Sequence, residues 1–412
     1  MELSALKGRM ERYFADYFGA VEAAASAGRL KVGAPGSVGR RFVPHYPTMS
    51  LITETPTHFV IELLGASLGR SRLTPVVRAL PSLGHVMGEF PGTNVKFDVQ
   101  VEETASGSMF KGLSLMSQRG QDAFAARFGS MDGMHDVKFV YNGPIEDDWS
   151  FHPIILKGKV SGVDFVDTVL IADWNGQVRA RYFQWAHIID RSASSSELLR
   201  QLEHRFPIGA NTDLISPVLD DERRPLVTAA NLAGITAVPK IGETTITDFL
   251  EANESILLRA LGVDRLIPQP RLEWVEGNPD PSEEWIQPDF LVVDDGGHAH
   301  ICEVKLPLLD NANVTTGGHK RRRFISPVAE GLAQLANYQE YMTFEPHRRI
   351  LRERYGVEIV NPRSYLIVGS AENFDQQQVR EAQRMIAPVQ IVDYDSLRAL
   401  YLVAEGFPHT PS

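Results

Sequence analysis

Apolar side chains recur at helical spacing, with Ala-rich stretches, over residues 1–28, and Ser37–Tyr46 reads as a loop. From His58 the period shortens to that of strands: His58–Ala66, Leu73–Leu80, Asn94–Val101, Val137–Tyr141 and Ile154–Val160, with a helix expected at Ser114–Phe128 between them. Val169–Tyr182 has the pattern of a hairpin turning at Asn175-Gly176, a pair that tolerates the positive φ of tight turns. Ser192–Phe206 reads as a polar helix, and Pro207–Pro239 as an irregular connector rich in turn residues. These patterns predict an α+β, β-rich region over 1–206, a connector over 207–239, and an α/β domain over 240–412.

The second domain opens with Thr245–Gly262, an amphipathic helix for which Thr247 or Asp248 suits the N-cap and Gly262 the stop. Then come two short apolar runs around Asp295-Gly296-Gly297. A hairpin centred on Gly296 pairs 294 with 298, 291 with 301 and 289 with 303. It places Asp289 opposite Glu303, with Cβ atoms roughly 5 Å apart. Alternation then sets Lys305 on the Glu303 face, while His300 points away from Glu303. A loop one residue longer or shorter would move every one of these side chains. Pro327–Tyr341 follows as a helix that carries Gln334 and Tyr338 on one face.

Composition narrows the reading. The chain has 412 residues, long enough for two or three domains, and a net charge of −11, which argues against a generally basic nucleic-acid coat protein. Positive charge is local: Lys320, Arg321, Arg322 and Arg323 form a run suited to a phosphate backbone, although such runs are ordinarily solvated loops. The one cysteine, Cys302, excludes an intrachain disulfide and a thiolate zinc cluster. No apolar run approaches the length of a membrane helix and no secretion signal is seen, so a soluble cytoplasmic protein without membrane association is expected.

The chemistry concentrates on the hairpin. Two close carboxylates repel each other unless a divalent cation lies between them, and hard oxygen ligands favour Mg²⁺ or Mn²⁺. Lys305 beside them could orient a water or stabilise charge on a phosphate. The plainer alternative is that Asp289 caps a strand while Glu303 and Lys305 pair on a sheet face. Glu254 weighs against it, because it lies among Leu250, Leu257, Leu258 and Leu261 at helical spacing, where a carboxylate needs compensation. Glu251, more peripheral, is the other candidate for a helix acid.

A glutamate in a helix, Pro288-Asp289, Glu303-Val304-Lys305 in a hairpin, and Gln334-x-x-x-Tyr338 in the next helix together resemble the PD-(D/E)xK nuclease superfamily, the last element being similar to its RecB-like branch. The wording Pro288-Asp289-Phe290-Leu291 with Glu303-Val304-Lys305-Leu306-Pro307, after a Phe-Leu-Glu helix, resembles the Shedu family of bacterial anti-phage proteins over roughly residues 240–400. The resemblance implies a restriction-endonuclease-like domain, a mixed sheet flanked by helices, that cleaves phage or other foreign DNA with Mg²⁺. Asp289, Glu303 and Glu254 would be its metal ligands and Lys305 its lysine, with Gln334 and Tyr338 orienting substrate or the lysine. It also implies a homo-oligomer, dimer or tetramer, in which the N-terminal region senses or regulates. RNA as substrate stays open, as does a sensor of nucleic-acid ends or another ligand with weak or no cleavage.

The N-terminal half shows no comparable constellation. Asp164, Asp167 and Asp173 recur at strand spacing without a basic partner, and Trp149, Trp174, Tyr182 and Trp185 read as core. His298 and His300, flanking the turn, invite a metal reading that the facing of His300 disfavours.

Overall fold

The N-terminal helix α1 (Leu3–Ser26) buries Leu6, Met10, Tyr13, Phe14, Tyr17, Phe18 and Val21, a stripe at three- and four-residue spacing. In the computed structural model, that stripe covers a five-stranded sheet of order β3-β1-β2-β5-β4. Its strands are β1 (Met49–Glu54), β2 (His58–Leu64), β3 (Thr74–Ala79), β4 (Val163–Trp174) and β5 (Gln177–Asp190). The unit also contains helices α2 (Ser195–Arg205) and α3 (Arg224–Thr236). The structure describes residues 2–29, 43–87, 98–99, 154–155, 163–174, 177–205, 208, 218–220, 224–278, 282, 284–318, 321–384, 386 and 389–405.

The chain divides into Met1–Ile235 with Glu405–Ser412, and Thr236–Ala404. In the first unit the two strands of the expected hairpin pair antiparallel, with Trp174 opposite Gln177. Trp185 is core, edge-on to Phe14 at 5.3 Å. Strand β1 was not foreseen. Nor was α3, which occupies part of the expected 207–239 connector and buries Leu226, Ala229, Ala230, Leu232 and Ala233. Its helical stripe outweighs the turn residues around it. Gly65, at φ +83°, lets its N–H reach Ala230 O at 3.1 Å while Gly234 packs on its Cα. The expected elements at Ser114–Phe128 and Val137–Tyr141 lie outside the described residues, as do Trp149 and the side chains of Asp164, Asp167, Asp173, Trp174 and Tyr182.

The second unit is a mixed α/β assembly. Its sheet, of order β6-β7-β8-β9-β10, comprises β6 (Arg265–Pro268), β7 (Phe290–Val293), β8 (Ala299–Val304), β9 (Ser364–Ile367) and β10 (Gln390–Val392). The first three strands run antiparallel, and β9 and β10 add in parallel to β8. Helices are α4 (Glu243–Ala252), α5 (Ser255–Leu261), α6 (Ser326–Tyr341), α7 (Glu345–Tyr355), α8 (Gln376–Gln383) and α9 (Tyr394–Ala404). Leu291, Val293, Ala299 and Ile301 on one sheet face join Val328, Leu332 and Leu335 of α6 and Leu351 of α7 in one core. Among the described residues no helix is long and apolar enough to cross a membrane.

The single helix expected over Thr245–Gly262 is two. It begins earlier, at Glu243, and breaks at Asn253, whose N–H and side-chain amide both turn back to Phe249 O. Thr247 is buried mid-helix and donates its hydroxyl to Glu243 O, four residues back, instead of capping. Gly262 stops α5 in the left-handed conformation, as its sequence position predicts.

Candidate active site

The β7–β8 hairpin pairs Leu291 with Ile301 and Phe290 with Cys302, the expected register. Asp294 fixes the turn, accepting from Gly296 N–H at 3.1 Å and His298 N–H at 2.9 Å. With that register, Asp289 stands just before β7 and opposite Glu303, and its Oδ2 accepts from Val304 N–H at 2.8 Å. Lys305, just past β8, donates Nζ to Glu303 Oε1 and to Glu243 Oε1, both at 2.9 Å. Two strand ends and the first turn of α4 thus meet on one lysine.

Burial sets the electrostatics. The Glu303 carboxyl is pushed up to about 7, first by burial and then by the negative charge of Asp289, with Lys305 and, weakly, the Asp289 N–H pulling the other way. Burial also raises Asp289, more than the Val304 N–H and Lys305 lower it, with Glu243 adding to the rise. Burial alone would lower Lys305, but the adjoining Glu303 and Glu243 carboxylates hold it above its ordinary value. Lys305 is therefore a cation at neutral pH, while Glu303 sits near its midpoint. Glu303 Oε2 is buried without a hydrogen-bond partner.

Those features fit a divalent cation. An orphaned carboxylate oxygen beside a second buried carboxylate is the arrangement that a cation relieves. Among the described residues no three carboxylate, imidazole or thiol groups form a ready-made cage. Mg²⁺ does not require one, since it commonly takes one or two carboxylates and fills its shell with water and phosphate oxygens.

The structure separates the other candidates. Glu254 is exposed at the N-cap position of α5, and Glu251 is also exposed. The helix carboxylate that reaches the lysine is Glu243, which shares a stripe with the buried Ile246, Thr247 and Leu250 at offsets of three, four and seven. That stripe was the available signal. Gln334 and Tyr338 lie on the α6 face toward Gln287; Tyr338 Oη donates to Gln287 O at 3.3 Å, and Gln334 Oε1 is buried without a partner. Neither shows a hydrogen bond to Lys305. Lys320 lies outside the described residues. Arg321 and Arg323 are exposed, whereas Arg322 is committed internally to Glu381 and Gln378 of α8. His300 bonds Asp294 and Arg363 on the opposite face, its value lowered by burial and by Arg363.

Two further residues shape the site. Gly331 of α6 passes so close that a Cβ there would stand 3.2 Å from Lys305 Cγ and 2.9 Å from Leu366 Cδ1. Tyr394, at the start of α9, donates its hydroxyl to Lys305 O at 2.5 Å. Its own value is raised by burial, Glu243 and Asp289, which places it against the same charges.

Residues 241–398 match the family model for the C-terminal region of Shedu protein SduA. Over this stretch, less than half of the chain, the sequence is similar to the Shedu family. The match spans Glu243, the whole hairpin, α6 and Tyr394, so every group that meets Lys305 falls inside it. No curated protein matches the chain.

Proposed function

We infer that the chain is a Shedu-type anti-phage defence protein whose C-terminal unit is a Mg²⁺-dependent endodeoxyribonuclease of the PD-(D/E)xK type, restrained by its N-terminal region until foreign DNA is met. The observation that carries this reading is the meeting of Asp289, Glu303 and Glu243 with one lysine, Lys305. Asp289 and Glu303 would hold Mg²⁺ or Mn²⁺. Bound there, the ion supplies an acidic water and polarises a phosphate. Lys305 places a permanent cation beside the carboxylates, where negative charge grows on the phosphate oxygens. Glu243 holds that ammonium in place and, with Glu303, keeps it protonated. Arg321 and Arg323 offer exposed charge to the backbone of a bound strand.

The test is cleavage of linear and circular duplex DNA in Mg²⁺, Mn²⁺ and EDTA by wild type and Lys305→Ala. Metal-dependent cutting that falls about 100- to 1,000-fold in the variant is expected for loss of a charge-stabilising group. Folded wild-type protein that leaves every DNA form intact in both metals would sink the nuclease reading.

A further inference from the structure

Beyond the carboxylates, α6 runs along a groove of about 740 Å³ lined by Trp285, Gln287, Glu330, Gln334, Asn337 and Tyr338. The groove shares its walls with the site. Gly331, one helical turn before Gln334, lies where a Cβ would crowd Lys305, and Gln287 lies two residues before Asp289. A ligand group in the groove would thus lie next to whatever the lysine touches.

The lining says what that group is. Glu330 and the neighbouring Glu284, both exposed, put negative charge on the groove, and its described lining contains no lysine, arginine or histidine. A phosphate is repelled there. Amides from Gln287, Gln334 and Asn337 and the indole of Trp285 remain. Trp285 is 40% exposed, and the Arg271 guanidinium lies 5.0 Å from its ring centroid, which fixes the ring plane. Gln334 Oε1 is a buried acceptor that lacks a donor. A flat aromatic surface and amide hydrogen-bonding groups are what a nucleobase face and edge require.

We propose that this groove receives an unpaired nucleobase of the strand whose backbone passes Asp289, Glu303 and Lys305, with Trp285 stacking on it and the amides that line the groove, Gln287, Gln334 and Asn337, bonding its edge. The proposal rests on the nuclease reading and deepens it. A base held in a duplex has its edge occupied by its partner, so the groove selects ends, flaps or extruded nucleotides.

The test compares binding of two 12-nucleotide single strands of equal charge in Ca²⁺, one of thymidines and one of tetrahydrofuran abasic units. The thymidine strand is expected to bind about 5- to 140-fold more tightly, the range of one stacked base. Trp285→Ala, shown folded by circular dichroism, should bring that ratio near one and leave abasic affinity within about 2-fold. A wild-type ratio near one, no binding of either strand, or equal weakening of both strands by Trp285→Ala overturns the proposal. So does displacement by thymidine monophosphate at concentrations like those of the strand, which marks a free-nucleotide site. If Lys305→Ala abolishes cleavage while the ratio is one, the groove assignment alone fails. If wild type does not cleave, the nuclease reading fails with it.

Discussion

Glu303→Gln probes the electrostatic balance of the cluster directly. The Glu303 side chain is 4% exposed, so solvent does little to screen it, and its carboxyl is pushed from the ordinary 4.5 up to about 7. A carboxyl whose value rises on folding binds its proton more tightly in the folded chain. Its contribution to stability is present in full below 4.5 and is lost as pH climbs through about 7. At about 1.4 kcal/mol per pH unit, the metal-free protein pays about 3 kcal/mol at pH 8 to keep this group charged. Asp289 is raised in the same direction, so the two carboxylates share that cost. Lys305, raised above its ordinary value, stays charged across this window and adds no slope. His300 and His347 are lowered, chiefly by burial, and give the opposite slope below 6.5, so wild type alone would show a mixed profile. The difference between wild type and Glu303→Gln reports the glutamate together with its coupling to Asp289 and removes the histidine slopes. In EDTA, the variant's advantage should grow by about 3 kcal/mol from pH 4.5 to pH 8. Hydrogen exchange of the β7–β8 amides reads this for the C-terminal unit alone. A difference that stays flat, or shrinks as pH rises, would refute the assigned burial of charge.

In Mg²⁺ at pH 8, wild type should gain thermal stability in a concentration-dependent way while Glu303→Gln gains little; equal shifts would remove Glu303 as a ligand. Glu243→Gln should lower the cleavage rate by about 10-fold or more, and Glu254→Gln should stay within about 2-fold, as measured by plasmid nicking under single-turnover conditions. Gly331→Ala gains about 1 kcal/mol of helix propensity and loses about 1–3 kcal/mol to crowding against Leu366 and Lys305. Its Tm should therefore change by only a few degrees while cleavage falls clearly, and a full rate with a lowered Tm would contradict the contact with the lysine. Arg321→Ala and Arg323→Ala should each reduce the salt slope of DNA binding by about one, whereas Arg322→Ala, by freeing Glu381 and Gln378, should act on stability instead.

The hairpin was legible because two local rules fix it together: glycines set the turn, and alternation sets the face. Once Gly296 is the centre, Asp289, Glu303 and Lys305 have no freedom left, and the observed register follows. The mixed α/β character, strands β2 and β3 and the β4–β5 hairpin were readable from period alone, although β1 and α3 were missed where turn residues crowd a short apolar stretch. The sequence pointed to Glu254, whereas the helix carboxylate that reaches Lys305 is Glu243, for a specific reason. Thr247 has N-cap chemistry but spends its hydroxyl on Glu243 O inside the helix, so the true first turn lies earlier than the capping signal indicates. Asn253 then ends α4, and the leucines around Glu254 belong to a separate helix on which that carboxylate faces out. Glu243 becomes recognisable only when the buried stripe Ile246, Thr247, Leu250 is extended backwards by one turn. Gly331 and Tyr394 carry no local signal at all, because what they do is defined by Lys305, far away in sequence. Sequence pattern therefore specifies the strand-borne half of the cluster. The half that α4, α6 and α9 bring to it depends on helix docking, and docking is decided by apolar contacts that no local period encodes.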